Sequence, residues 1–239
     1  MSDVHGNSTA LDAVLRDIDA TGGADRIIVN GDLCAFGPRP EESLARLRSL
    51  PNATFVQGNT DRYLVARPSP VPATDSTPAR LRAGCGWAAA RIGEDGLRFL
   101  AALPNRQEVD DAHAGRLLVV HASPRSDEEG IGPDTTPALL SEIMTGIDAA
   151  FLCCGHTHVP WRGQWGGTTI INEGAVGFPM DGDSRASYAT AVLEPQAWYV
   201  ELHRVVYDVD SVINDLYARQ LPAADIFAKR LRRAGKEPG

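Results

Sequence analysis

Residues 150–158 read Ala150-Phe151-Leu152-Cys153-Cys154-Gly155-His156-Thr157-His158. An unbroken apolar run of this length is a strand buried on both faces, and the glycine and two histidines mark its carboxyl end. The same pattern recurs along the chain. Ile27, Ile28 and Val29 run into Asn30-Gly31-Asp32, and Ala53 to Gln57 runs into Gly58-Asn59. Leu117 to Val120 stops at His121, and Thr168 to Ile171 stops at Asn172. Helical patterns lie between the early strands. Leu11, Val14, Leu15 and Ile18 recur at helical spacing behind a cap at Asn7 or Ser8, and Gly22-Gly23 ends that helix. Pro40 to Leu50 reads as a second helix. Alternation of this kind predicts an α/β fold with a mostly parallel sheet.

Outside that core, residues 67–79 hold four prolines and read as a surface loop. Residues 80–103 read as helical again and are expected to stand over one end of the sheet. Ser187 to Leu193 and Trp198 to Tyr207 form an expected antiparallel pair joined through Glu194-Pro195-Gln196. From about Val209 to Gly235 the chain reads as a helical tail with a basic end. We expect a single domain over 1–239, with a cap-like insertion at 62–111.

A chain of 239 residues buries enough surface to hold a core without disulfides or metals. The net charge of −8 argues against a nucleic-acid scaffold, whose affinity comes from clustered Lys and Arg. Cys34, Cys85, Cys153 and Cys154 form no CxxC pair and are expected to be reduced, partly buried thiols in a cytoplasmic protein. No apolar run reaches the length needed to cross a bilayer, so no membrane partner is expected. Nothing before Gly6 reads as a signal peptide.

The polar residues at the strand ends are Asp3, His5, Asp32, Asn59, His121, His156 and His158. All are metal-ligand types, and the crevice beyond the carboxyl ends of an open α/β sheet is where sites form. Asp3 and His5 are two apart, as are His156 and His158, so in extended chain each pair faces one way. Seven donors exceed what one four-coordinate ion requires. They suit two divalent ions if one carboxylate bridges them, with Asp32 the natural bridge. Carboxylate, amide and imidazole donors favour Mn, Zn, Fe or Co over Cu(I).

These residues resemble the ordered motifs of the calcineurin-like metallophosphoesterases, in particular the small bacterial phosphodiesterase-like branch. The motifs are Asp3-Val4-His5-Gly6-Asn7, Gly31-Asp32 with Gly37-Pro38, Gly58-Asn59-Thr60-Asp61, Val120-His121 and Gly155-His156-Thr157-His158. Weaker echoes are Asn172-Glu173-Gly174-Ala175-Val176-Gly177, Asp181-Gly182-Asp183 and Arg204-Val205-Val206-Tyr207-Asp208. The resemblance implies a four-layer αββα sandwich. It implies a first metal on Asp3, His5, Asp32 and His158, and a second on Asp32, Asn59, His121 and His156. It further implies hydrolysis of a small phosphodiester or phosphomonoester by a hydroxide bridging the metals, with Asp32, Asn59 and His121 at the catalytic centre.

Three departures from the family pattern carry expectations of their own. Thr60 stands where many relatives carry histidine, and a hydroxyl donates a hydrogen bond but is no general acid near neutral pH. Poor leaving groups should therefore turn over weakly. Asp61, beside it, is expected to orient His121 or a water. Only Met1 and Ser2 precede Asp3, where the family has an apolar strand, so a start later than the natural one is expected. In the late loop, Glu173, Ala175, Phe178 and Met180 replace residues expected to face substrate. Met180 removes a cation there, and Arg185 is the expected substitute.

Asn59 and Thr60 are candidate substrate-binding residues. Arg125 either reaches a substrate phosphate or is a solvated loop residue. Trp161 and Trp165 either line a pocket for an aromatic group or pack a hairpin. His113 and His203 sit in no motif and are expected outside the site. The basic stretch Lys229 to Arg233 reads as a helix end complementing its dipole. Two other functions remain in view: a nuclease, which the acidic balance disfavours, and a metal-binding sensor or interaction module without catalysis.

Overall fold

A computed structural model of the chain describes residues 1–66, 79–195 and 197–235. The elements in order are α1 (Ser8–Ala20), β1 (Ile27–Asn30), α2 (Pro40–Arg48), β2 (Ala53–Val56), α3 (Asn59–Val65), α4 (Ala79–Ala101), β3 (Arg106–Asp111) and β4 (Gly115–Val120). They continue as α5 (Pro137–Ile143), β5 (Phe151–Cys154), β6 (Trp161–Trp165), β7 (Thr168–Asn172), β8 (Ala186–Glu194), β9 (Ala197–Val205), α6 (Val209–Ala218) and α7 (Ala224–Arg233). Strands β1 and β2 pair in parallel, and β8 and β9 form the antiparallel pair expected at 187–207. The largest sheet has the order β3-β4-β5-β7-β6, parallel in the middle and antiparallel at both edges.

The period-two alternation of the strands sorts their side chains into layers. Leu117, Val119, Phe151, Cys153 and Ile171 point from the five-stranded sheet onto Val56 and Ile28 of the first sheet and onto Val200 and Leu202 of the hairpin. Their neighbours Leu118, Val120, Leu152, Cys154 and Ile170 point the other way, beneath Leu140 and Ile143 of α5. On the far side, Val29, Ala186 and Tyr188 are covered by α1, α2, α4, α6 and α7 through residues such as Leu11, Leu47, Leu100, Leu216 and Phe227. The result is four layers, helix-sheet-sheet-helix, as the motifs imply. The four thiols are divided among the three interfaces: Cys34 and Cys85 in the outer helical core, Cys153 between the sheets, and Cys154 beneath α5.

Met1 to Asp3 run as a short extended segment. The Met1 carbonyl accepts from Asn30 N–H at 2.8 Å, Asp3 N–H donates to Gly31 at 3.1 Å, and the Ser2 carbonyl accepts from Val176 N–H at 3.0 Å. The segment thus joins the end of β1 to the 174–177 loop, and the buried backbone groups there are paired.

The helical tail divides into two helices. Pro222 lies in the break between α6 and α7, where Gln220 and Ala223 take left-handed backbone. Of the 62–111 segment, α4 packs in the outer helical layer, and Arg106–Asp111 is the edge strand of the five-stranded sheet. The loop expected at 67–79 lies, except for Ala79, outside the described residues. Among the described residues no helix is long and apolar enough to cross a membrane.

Candidate metal centre

Strands β1, β2, β4 and β5 each end at the cluster, and the backbone that follows presents a ligand: Asp32, Asn59, His121 and His156. Asp3, His5, Asp32, His156 and His158 all have positive φ, between 51° and 65°. Side-chain-bearing residues adopt this region rarely and at a cost, so a cluster of them marks a place where position outweighs backbone comfort. Glycines supply the remaining clearance. A Cβ on Gly31, itself at φ 83°, would lie 2.6 Å from His121 Nδ1, and one on Gly58 would lie 2.1 Å from Asp32 Oδ1.

The seven candidate ligands converge. His158 Nε2 is 3.1 Å from Asp3 Oδ1, and His5 Nε2 is 3.7 Å from the same oxygen and 3.6 Å from Asp32 Oδ2. The other oxygen of Asp32 lies 3.5 Å from His121 Nε2. Asn59 Oδ1 is 3.0 Å from His121 Nε2 and 3.2 Å from His156 Nδ1. Asp32 therefore lies between two groups of donors. Asp3, His5 and His158 each offer one donor atom within 4.8 Å of the others, as do Asp3, Asp32 and His121.

The protons on three of the imidazoles are placed by backbone carbonyls, which can only accept. Nδ1 of His5 donates to Ala35 at 2.9 Å, that of His121 to Asn30 at 2.9 Å, and that of His158 to Phe178 at 2.5 Å. Each Nε2 lone pair is thereby turned into the site. The Nε2 atoms of His5 and His158 then face each other at 3.1 Å, and buried Asp3 Oδ1 has no hydrogen-bond partner. Acceptors packed on acceptors in a buried place are unfavourable without a cation among them. The donor set thus fits bound divalent metal.

Without metal the charges regulate one another. Burial alone would pull His5 and His121 down, but the carboxylates of Asp3 and Asp32 outweigh it and hold both above the ordinary imidazole value. Burial, helped by the charge on His121, holds His156 below that value. Burial and the neighbouring Asp32 hold Asp61 well above the carboxylate range. The raised groups contribute stability at low pH that is lost as pH climbs through their folded-state values, while His156 runs the opposite way only up to the ordinary imidazole range. With a chelator present, the melting temperature should fall between about pH 6 and pH 8. Loading with Mn should flatten the slope, because cations then replace protons as the partners of Asp3 and Asp32. Thermal melts in both states test this, and a chelated protein that grows more stable over the interval would contradict it.

Among the described residues Asp61 makes no hydrogen bond to His121. Its carboxylate accepts from Asp32 N–H at 2.8 Å, Leu33 N–H at 3.0 Å and Gly58 N–H at 3.0 Å. It clamps the turns after β1 and β2 together, a role that nothing in its local sequence announces. Asn172 does similar work for the histidine loop, donating to the carbonyls of Gly155 and Ile131.

A cavity of about 180 Å³ opens over the cluster. His5, Asp32, Asn59, Thr60, His156 and His158 form its floor, and Phe36, Phe178, Met180, Phe227 and Arg230 contribute to its walls. Thr60 is 5% exposed, and its Oγ1 has no hydrogen-bond partner among the described residues. Of the late-loop residues, Phe178 and Met180 line the cavity. Glu173 and Ala175 are buried behind it, with the Glu173 carboxylate accepting from Asn30 at 3.2 Å. A second, more polar cavity of about 420 Å³ lies on the other side of His121, lined by residues including Arg62, Ser123, Arg125 and Asp127. Both of its arginines are paired, Arg125 with Glu129 at 2.6 Å and Arg62 with Asp127 at 2.7 Å.

Residues 1–196 match the calcineurin-like phosphoesterase superfamily domain. The chain belongs to that superfamily. A metallophosphoesterase from Sphaerobacter thermophilus, known from its crystal structure, is 33% identical and superposes with a TM-score of 0.79, over 98% of this chain and 97% of that one. A hypothetical protein from Pyrococcus horikoshii shares the fold, with a TM-score of 0.83 at 20% identity over 99% of this chain and 98% of its own. An uncharacterized protein of Methanocaldococcus jannaschii is 28% identical over 93% of this chain and 92% of its own length.

The remaining candidates do not line the cavity over the ligand cluster. Arg185, the substitute cation expected from the sequence, is bound to Asp183 at 2.6 Å and does not line the cavity. Trp161 and Trp165 belong to β6, paired with β7 and packed toward α5, and line neither cavity. His203 is stacked on Tyr188 and bonded to Thr190, and His113 is an exposed turn residue. Arg230, by contrast, reaches the cavity although its sequence context reads only as a basic helix end.

Proposed function

We propose that the chain is a metal-dependent phosphoesterase that hydrolyses a small phosphodiester or phosphomonoester in the cavity over the ligand cluster. The observation that carries this reading is the arrangement of Asp32, one oxygen toward His5 and the other toward His121, inside a donor set with facing acceptors. Asp3, His5, Asp32 and His158 would hold one divalent ion and Asp32, Asn59, His121 and His156 a second, with Mn, Zn, Fe or Co suited to the donors. Two such ions lower the pKa of coordinated water and neutralise charge on a phosphoryl group in transfer.

The chain's own residues supply the rest. The carbonyls of Ala35, Asn30 and Phe178 keep three imidazoles aimed inward. Thr60 N–H holds Asp32 Oδ1 at 2.9 Å, leaving the hydroxyl free to donate to a phosphoryl oxygen. No histidine stands at position 60 to protonate a leaving group, so activated esters should react faster than alkyl esters by more than their intrinsic difference. The substrate we favour is a small molecule, because the net charge is −8 and both arginines of the second cavity are already paired.

The test is elemental analysis paired with hydrolysis of bis-p-nitrophenyl phosphate and p-nitrophenyl phosphate after Mn reconstitution. Two metals per chain with turnover support the proposal. No metal, or metal without turnover of either ester, overturns it. Thr60→Val offers a finer check. Removing an unpartnered buried hydroxyl should leave the melting temperature unchanged or slightly raised, while turnover drops about tenfold.

A further inference from the structure

We infer that Arg230, delivered by the C-terminal helix α7, is the substrate-binding cation of this site and donates to an oxygen of the phosphoryl group held at the cluster. The inference rests on the phosphoesterase reading and adds to it the residue that grips the anion.

Three observations lead there. First, Arg230 lines the cavity and is exposed to solvent, and its guanidinium makes no hydrogen bond or ion pair with another described residue. The other arginines near the two cavities are neutralised: Arg62 by Asp127 and Glu128, Arg125 by Glu129, Arg185 by Asp183 and Arg204 by Asp181. An unpaired guanidinium at the mouth of a site, in a chain of net charge −8, has an anion as its natural partner.

Second, α7 is fixed in rotation. Phe227 lies three residues before Arg230 on the same helical face and is 1% exposed. Its ring stacks on Phe36 at 5.2 Å and meets Phe178 at 5.7 Å, and both of those rings lie against the ring of His5. A continuous aromatic chain thus runs from the helix to a candidate metal ligand.

Third, the end of α7 is tied to the late loop. The Ala234 carbonyl accepts from Gly182 N–H at 2.8 Å, and the loop is held further by the ion pair between Arg204 and Asp181. The same loop carries Met180, an apolar residue that lines the cavity. Helix and loop are therefore one wall, to which the loop contributes apolar Met180 and the helix, one turn before its end, the charge of Arg230. The apolar surface beside it, from Phe36, Phe178, Phe227 and Met180, suits the organic group of the ester.

The experiment is calorimetric titration of inorganic phosphate into protein of measured metal content, for the wild type, Arg230→Gln and Arg232→Gln. Arg232 carries the same charge at the same helix end but lines neither cavity, so it controls for long-range electrostatics. Loss of a charge-assisted hydrogen bond should weaken phosphate binding by about ten- to a hundredfold in Arg230→Gln. Arg232→Gln should change it by no more than about twofold. In turnover, Arg230→Gln should raise KM more than it lowers kcat. Equal phosphate affinity in Arg230→Gln and wild type, an equal loss in both variants, or no phosphate binding by the wild type would each overturn the inference. Metal content is read separately. A protein that takes up no metal yet loses phosphate affinity in Arg230→Gln alone would keep Arg230 and discard the phosphoesterase.

Discussion

Replacing Asp32 by Ala is expected to strip the metal centre and lower ester hydrolysis by at least about a thousandfold, the scale on which cation stabilisation of a transferring phosphoryl group acts. Its two oxygens face different histidines, at 3.6 and 3.5 Å, so no other residue of the set can take over its place. Asp32→Asn separates ligand from scaffold. The amide keeps an acceptor for Thr60 N–H but loses the charge, so metal binding should weaken, while the metal-free variant should melt close to chelated wild type. Elemental analysis of purified variants, read beside turnover, decides the matter. Two metals retained in Asp32→Ala would show that the bridging assignment is wrong.

Asp61→Ala should be the most damaging single change to stability near the site. It leaves three buried backbone N–H groups, of Asp32, Leu33 and Gly58, without their acceptor. At roughly 1–2 kcal/mol for each unsatisfied group, a loss of about 3–6 kcal/mol is expected, a large part of a typical domain's stability. For a chain of this size that corresponds to a fall of roughly 10–20 °C in melting temperature. Asp61→Asn, which keeps one carbonyl oxygen, should fall between. A shift below about 3 °C for the alanine variant would mean that the turns after β1 and β2 do not depend on the clamp.

The strands that build the centre of the molecule are legible in the sequence because they are buried on both faces. Ile27–Asn30 and Phe151–Cys154 are apolar nearly throughout, and each ends two positions before a ligand, with a glycine between. The two edge strands of the large sheet are not legible. Arg106–Asp111 alternates exposed and half-buried residues with only Val109 apolar, and Trp161–Trp165 reads as a pair of aromatics around Arg, Gly and Gln. An edge strand needs one covered face, and a polar sequence with one or two anchors satisfies it. Asp32, Asn59, His121 and His156 are visible because each follows an apolar run, whereas Asp3, His5 and His158 are legible through their two-residue spacing and the motifs they resemble. Asp61 was visible as a residue but not as a clamp, since its partners Asp32 and Leu33 lie 29 and 28 positions earlier. Arg230 was hidden for a similar reason. Its approach to the cavity depends on the turn at Gln220 and Ala223, where α7 folds back across α6, and helical periodicity carries no information about that turn.

The distribution of the four cysteines gives the molecule a built-in reporter of how it comes apart. All four are buried and reduced, and burial holds the thiols of Cys34, Cys85, Cys153 and Cys154 above their ordinary range, so alkylating reagents should meet almost no thiolate in the folded protein. Each interface between layers contains at least one of them. The order in which they become labelled in rising denaturant therefore records which layer parts first. Cys153 and Cys154 are adjacent in the chain yet face opposite sides of one strand, so their relative rates distinguish separation of the two sheets from loss of the α5 cover.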